Sequence, residues 1–149
     1  MKRKKNNDDK IRLSLAGEFG VASELSKLNL NVNISIGNYK GVDILVFGNN
    51  GMYKKIEVKT SKTKRFVTGF FKKYGDITQP HPDFWVIVHI DENNISHYYV
   101  MTHEEVGNLQ MNRNKMAEWK PVPDGVDNLI LSNIEKFENC WDKITKSIS

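Results

Sequence analysis

The chain has one cysteine, Cys140, so it can form no disulfide within itself and no cysteine-rich zinc module. Long hydrophobic runs are missing too: the most apolar stretches, Val42 to Phe47 and Phe84 to Ile90, have the length of strands, not of membrane spans. No phosphate-cradling loop, dinucleotide fingerprint or nucleophile elbow is present, which leaves a motor, an oxidoreductase or a serine hydrolase without support. The four histidines, His81, His89, His97 and His103, are scattered and lack a zinc-ligand spacing. Only four prolines occur, with no Pro-rich linker or internal repeat.

What is present reads as one domain. The 149 residues are 39% hydrophobic and 27% charged, ordinary usage for a globular fold. Met1-Lys2-Arg3-Lys4-Lys5 carries the charge of a signal peptide without the apolar segment that must follow it, so the expectation is a cytoplasmic protein with a flexible basic arm over 1–10 and one domain over 11–149. The net charge of +4 is unevenly placed. Between Lys54 and Lys73 stand Lys54, Lys55, Lys59, Lys62, Lys64, Arg65, Lys72 and Lys73, opposed by Glu57 alone, so the rest of the chain is net acidic. Such a footprint suits a polyanion such as nucleic acid; a solvated lysine-rich loop is the plainer alternative.

Hydrophobic periodicity gives a mixed α and β order. Ser14 to Leu28 predicts a helix with Ile11, Leu15, Ala22 and Leu25 on one side. Val32 to Ile36, Val42 to Phe47 and Tyr53 to Lys59 predict a meander, with turns at Gly37-Asn38 and at Asn49-Asn50-Gly51. The basic segment through Phe66, Phe70, Phe71 and Tyr74 has no clean period and reads as irregular or weakly helical; its aromatics either stack on unpaired bases or anchor a loop to the core. Strands are expected over Asp83 to Ile90 and Ile95 to Met101, a capping box at Thr102 and Glu105, and a last helix over Ser132 to Ile144.

Charges interrupt two of these strands. Period two puts Glu57 and Lys59 together on the face opposite Ile56 and Val58. If Asn49-Asn50-Gly51 is a three-residue loop, residues whose numbers sum to 100 are cross-strand partners and Asp43 faces Glu57; a two-residue turn would shift the sum to 101 and point Asp43 away. Directly opposed carboxylates repel and call for a compensating cation, for which a hard divalent ion with oxygen ligands, Mg²⁺ or Mn²⁺, is suited. Glu18 falls among the expected apolar positions of the first helix, where a buried carboxylate needs a partner; alternatively it lies in a frayed, hydrated first turn. Gly17 and Gly20 beside it fit a helix lying close to another backbone.

Glu18 on a helix, Asp43 on one strand and Glu57-Val58-Lys59 on the next resemble the PD-(D/E)xK nuclease superfamily, in an order similar to the archaeal Holliday junction resolvase branch and its relatives. The resemblance covers about residues 11–62, and Val42-Asp43 stands where the eponymous pattern has Pro-Asp. It implies a restriction-endonuclease-like α/β fold: an αβββαβ core, a mixed central sheet flanked by helices, and a C-terminal helix. It further implies a Mg²⁺- or Mn²⁺-dependent endonuclease acting on DNA, duplex or branched, with Asp43, Glu57, the carbonyl of Val58 and Glu18 around the metal and Lys59 at the attacking water. Lys62, Lys64, Arg65, Lys72 and Lys73 would contact phosphates. A lone site per chain cuts one strand, so a double-strand cut would need a homodimer. The rival expectation is a nucleic-acid-binding module on the same fold that does not cut.

Overall fold

The computed structural model describes residues 7–35, 42–123 and 125–148. Helix α1 (Asn7–Lys27) carries Asp8 and Asp9 in its first turn and Lys27 in its last, the charge order that favours a helix dipole. It takes in residues 7–10 of the expected arm. Its buried face also differs from the period-based expectation. Ile11 is 57% and Leu15 39% exposed, while Gly17, Val21, Ala22 and Leu25 face inward. Glycine is the physical reason: a Cβ built on Gly17 would overlap Thr60 Oγ1, and one on Gly20 would run into the Tyr98 hydroxyl. The helix therefore lies on the sheet along its glycines, turning Ile11 and Leu15 outward.

The sheet beneath it has the order β1-β2-β3-β5-β6, formed by Asn31–Ile34, Ile44–Phe47, Tyr53–Ser61, Phe84–Ile90 and Ser96–Thr102. All neighbours are antiparallel except β3 and β5, which run parallel. A parallel pair needs a crossover connection, and the basic segment supplies it, containing β4 (Arg65–Val67) and α2 (Phe70–Tyr74). These elements are too short to show a period, hence the irregular appearance of the sequence there. Strand β4 pairs with β7 (Asn128–Ile130) in a second, two-stranded sheet. The turn expected at Gly37-Asn38 lies outside the described residues.

Two apolar clusters cover the two faces of the main sheet. On the α1 face, Val21 and Leu25 pack with Ile44, Val46, Ile56, Val58, Val86 and Val88. On the other, Phe66, Phe70, Phe71 and Tyr74 pack with Trp85, Ile87, Val106 and Leu129. The aromatics of the basic segment are thus core residues and not a stacking platform for bases. Central β5 is covered on both faces, which explains its nearly continuous apolar run. Full burial of each such side chain contributes about 1.5–3 kcal/mol.

Helix α3 (His103–Arg113) starts with the expected capping box between Thr102 and Glu105. The last helix is not continuous. Short α4 (Leu131–Ile134) runs into a 3₁₀ turn, Glu135–Phe137, and α5 (Asp142–Ile148) begins only after Asn139, whose φ of 54° ends the helical path. Tyr98 O accepts from Asn139 N at 2.8 Å, so a tie to β6 takes precedence over helix continuity.

The α1 contact is testable. Gly17→Ala gains helix propensity but places its methyl on Thr60, and the overlap should dominate, destabilising the fold by about 1–3 kcal/mol in urea denaturation. Thr60→Ala in the same chain should recover part of the loss. No recovery would mean that Thr60 is not what limits the approach.

Candidate functional site

The β2–β3 hairpin adopts the three-residue loop. Gly51 has φ of 78°, Gly48 N donates to Met52 O at 2.8 Å, and the register pairs Leu45 with Lys55 and Ile44 with Ile56. Positions summing to 100 are therefore partners, and Asp43, one step beyond β2, comes level with Glu57. Asp43 N donates to Ile56 O at 3.0 Å. At the next step the ladder changes character: Val58 N donates to Asp43 Oδ2 at 2.8 Å, so a carboxylate stands where a main-chain carbonyl would continue the sheet. In an extended strand the N–H and C=O of one residue project to the same side. The Val58 carbonyl accordingly also points past the end of β2, on the edge where Asp43 sits.

Glu57 is 4% exposed on the face that carries Trp85 and Tyr74. Both its oxygens are engaged. Tyr74 donates its hydroxyl proton to Oε2 at 2.7 Å, while Lys73 Nζ lies 3.3 Å and Lys59 Nζ 3.5 Å from Oε1. A carboxylate this buried requires such partners, since an uncompensated charge in the interior is strongly unfavourable. Burial, and next the charge of Glu57, push the Tyr74 hydroxyl well above its ordinary range, so it stays protonated and remains a donor. Lys59 is pulled down, first by burial; the attraction of Glu57 opposes this and the nearby Lys73 adds to it. Asp43 is raised, first by burial, against the hydrogen bond from Val58, with Glu57 raising it further. Glu18 is raised by burial and then by the charge of Asp43. Helix α1 thus holds Glu18 within electrostatic reach of Asp43, although among the described residues it forms no ion pair.

The structure brings together Asp43, Glu57, Val58 and Lys59, with Glu18 at the margin. It divides the basic set. Lys62, Lys64 and Arg65 are exposed along the β3–β4 turn, which Ser61 and Thr63 tighten through the 3.0 Å bond from Thr63 N to Ser61 Oγ. Lys72 is exposed on α2, whereas the neighbouring Lys73 turns to Glu57. Lys73, expected among the phosphate contacts, is in this structure a partner of the buried carboxylate. Sequence reasoning missed Tyr74 as a site residue. The signal was a hydroxyl in Phe70-Phe71-Lys72-Lys73-Tyr74 where a third phenylalanine would fill the core equally well, combined with a buried Glu57 in need of a donor.

These donors fit a hard divalent ion of the Mg²⁺ kind, which keeps several waters and takes one or two carboxylates from a protein. Asp43 Oδ1, the Val58 carbonyl and Glu57 Oε1, the last of them held by Lys73 and Lys59, are the oxygens on this edge. Among the described residues no three of His, Cys, Asp and Glu converge as a ligand group, so Glu18 does not complete a three-carboxylate cage.

Comparison with solved structures finds this arrangement of elements in a bacterial homing endonuclease, I-Ssp6803I, at a TM-score of 0.54 and 15% identity over 90% of each chain. The fold is a nuclease-like α/β fold, a five-stranded mixed sheet flanked by helices with a helix at the C-terminal end. No family model matches the sequence, and no curated protein matches it. Among the described residues no helix is long and apolar enough to cross a membrane.

The raised carboxylates predict a pH dependence of stability. Asp43 and Glu18 hold their protons more tightly in the folded chain than in the unfolded one. Their stabilising contribution is complete below the ordinary carboxylate range, about pH 4, and is lost as pH rises through the raised values. Asp43→Asn removes the charge and keeps an oxygen for Val58 N–H. It should melt about 2–4 °C above the wild type at neutral pH, with the gap closing on acidification. A melting temperature below that of the wild type at pH 8 would contradict the assigned repulsion.

Proposed function

We propose that the chain is a divalent-metal-dependent endonuclease that hydrolyses DNA phosphodiester bonds. The observation that carries this is the placement of Asp43 level with buried Glu57, with Lys59 on the same strand two residues on. A sheet gains nothing from paired carboxylates, which lower its stability. The likeness to the fold of a homing endonuclease supports the same conclusion.

In this proposal Asp43, Glu57 and the Val58 carbonyl hold Mg²⁺ or Mn²⁺, and Glu18 tunes Asp43 from α1. The ion, when bound, polarises the scissile phosphate and lowers the pKa of an attacking water. Lys59, pulled down by burial, is suited to accept a proton from that water or to offset charge gathering on phosphorus. Lys62, Lys64, Arg65 and Lys72 hold the nucleic-acid backbone, supplying affinity without sequence information.

One observation favours the rival, a module that binds without cutting. Lys59 and Lys73 lie against Glu57 and offset its charge, so the fold itself accommodates this carboxylate. Nicking of supercoiled plasmid decides between them. The enzyme should cut with Mg²⁺ or Mn²⁺ and not with EDTA, and Asp43→Ala and Lys59→Ala should each lower the rate by about 10²–10⁴-fold. DNA binding without cutting on plasmid and on branched substrates would favour the module; cutting that survives in both variants would place the activity elsewhere.

The phosphate contacts make a separate prediction. Lys62→Ala, Lys64→Ala, Arg65→Ala and Lys72→Ala should each weaken DNA binding alike across sequences and reduce the slope of log affinity against log salt by about 1. An unchanged slope for a given variant would remove that residue from the interface.

A further inference from the structure

Metal-site carboxylates act through the groups that hydrogen-bond them as well as through their own oxygens. Two groups hydrogen-bond Glu57, Lys73 and Tyr74, and both come from a single turn of α2, a helix absent from the sequence pattern that marked the site. We infer that Lys73 and Tyr74 set how Glu57 meets a divalent ion: Tyr74 fixes Oε2 and leaves Oε1 as the ligand, while Lys73 holds Oε1 as a counter-charge that the ion must displace. The inference rests on the proposed metal site at Asp43 and Glu57 and names two positioning residues for it.

Geometry supports the division of labour. The Tyr74 ring is locked in place, edge-on to Trp85 at 5.9 Å and to His103 at 5.1 Å, and its carbonyl accepts from Trp119 Nε1 at 3.1 Å. Its hydroxyl therefore reaches Glu57 from a fixed position. Lys73 lies on a flexible stem with a third of its side chain exposed, so it can leave Oε1 without disturbing the core. The two residues consequently act with opposite sign on metal binding. Losing the Tyr74 hydroxyl frees the carboxylate to turn and weakens the site. Losing the Lys73 charge removes a competitor and strengthens it.

Titration calorimetry of Mn²⁺ into the full chain, without nucleic acid, reads this directly. Tyr74→Phe, which keeps the ring, should bind Mn²⁺ about tenfold more weakly than the wild type. Lys73→Met should bind it about fivefold more tightly, the effect of one unit charge at about 4 Å in water, and Lys73→Arg should return toward the wild-type affinity. Lys10→Met, which removes the same charge at an exposed lysine of α1, the helix on the opposite face of the sheet, sets the background. A merely structural role for the turn would lower thermal stability in both variants and would not shift affinity in opposite directions. The inference is overturned if Lys73→Met matches Lys10→Met or if Tyr74→Phe binds like the wild type. Should Mn²⁺ binding be absent from the wild type, or persist unchanged in Asp43→Asn, the proposed metal site falls and the inference with it.

Discussion

A carboxylate buried between two strands is the constraint around which this molecule is arranged. Glu57 is 4% exposed at the middle of β3, next to β5 on one side and level with Asp43 on the other. Isolated there, its charge would be unfavourable by several kcal/mol or more. Three side chains resolve the problem, Tyr74, Lys73 and Lys59, and two of them arrive on the crossover that the parallel β3–β5 pair requires. The connection demanded by topology thus also satisfies the charge. Asp43 has a different solution: the Val58 N–H takes over its Oδ2, at the point where the β2 ladder stops.

The legible parts of the sequence are those governed by local rules. The three-residue loop with Gly51 at positive φ was one of two registers open to the Asn49-Asn50-Gly51 turn, and the Asp43–Glu57 opposition follows from that register, because a period of two leaves no freedom once the turn is fixed. The Thr102–Glu105 capping box is likewise a matter of three residues. What escaped depends on tertiary contact. The apolar face of α1 was misplaced because period alone weighs Ile11 and Leu15 above Gly17, whereas close approach to Thr60 makes the glycine the contact point. The break before α5 is set by a bond to β6 from Asn139, far from it in the chain. Tyr74 could not be assigned from spacing, since it lies 17 residues from Glu57. The segment between them has no period to predict its path.

Segregation of charge also has a structural meaning that the sequence count conceals. The lysines between residues 54 and 73 look like one basic stretch, yet Lys59 and Lys73 lie against Glu57 while Lys62, Lys64, Arg65 and Lys72 face solvent. The exposed set acts over distances set by salt screening. The pair at Glu57 acts at contact range on a buried carboxylate, where each charge weighs more heavily. Equal residues in one run therefore have unequal roles, and contact with Glu57 assigns them.

A fold shared with a homing endonuclease at 15% identity shows how little of this architecture depends on particular side chains. Apolar alternation, a parallel pair with its crossover and a helix lying on glycines are enough to build it. The costly features are the ones that identity does not measure: a carboxylate at the end of a ladder, another in the interior, and a lysine lowered by its own burial. Each reduces stability and none is needed for the sheet, so each would be replaced by an apolar residue if the fold were the sole requirement. Their presence together on one edge, with two lysines against Glu57, is what the proposed site for a metal and an anionic substrate requires.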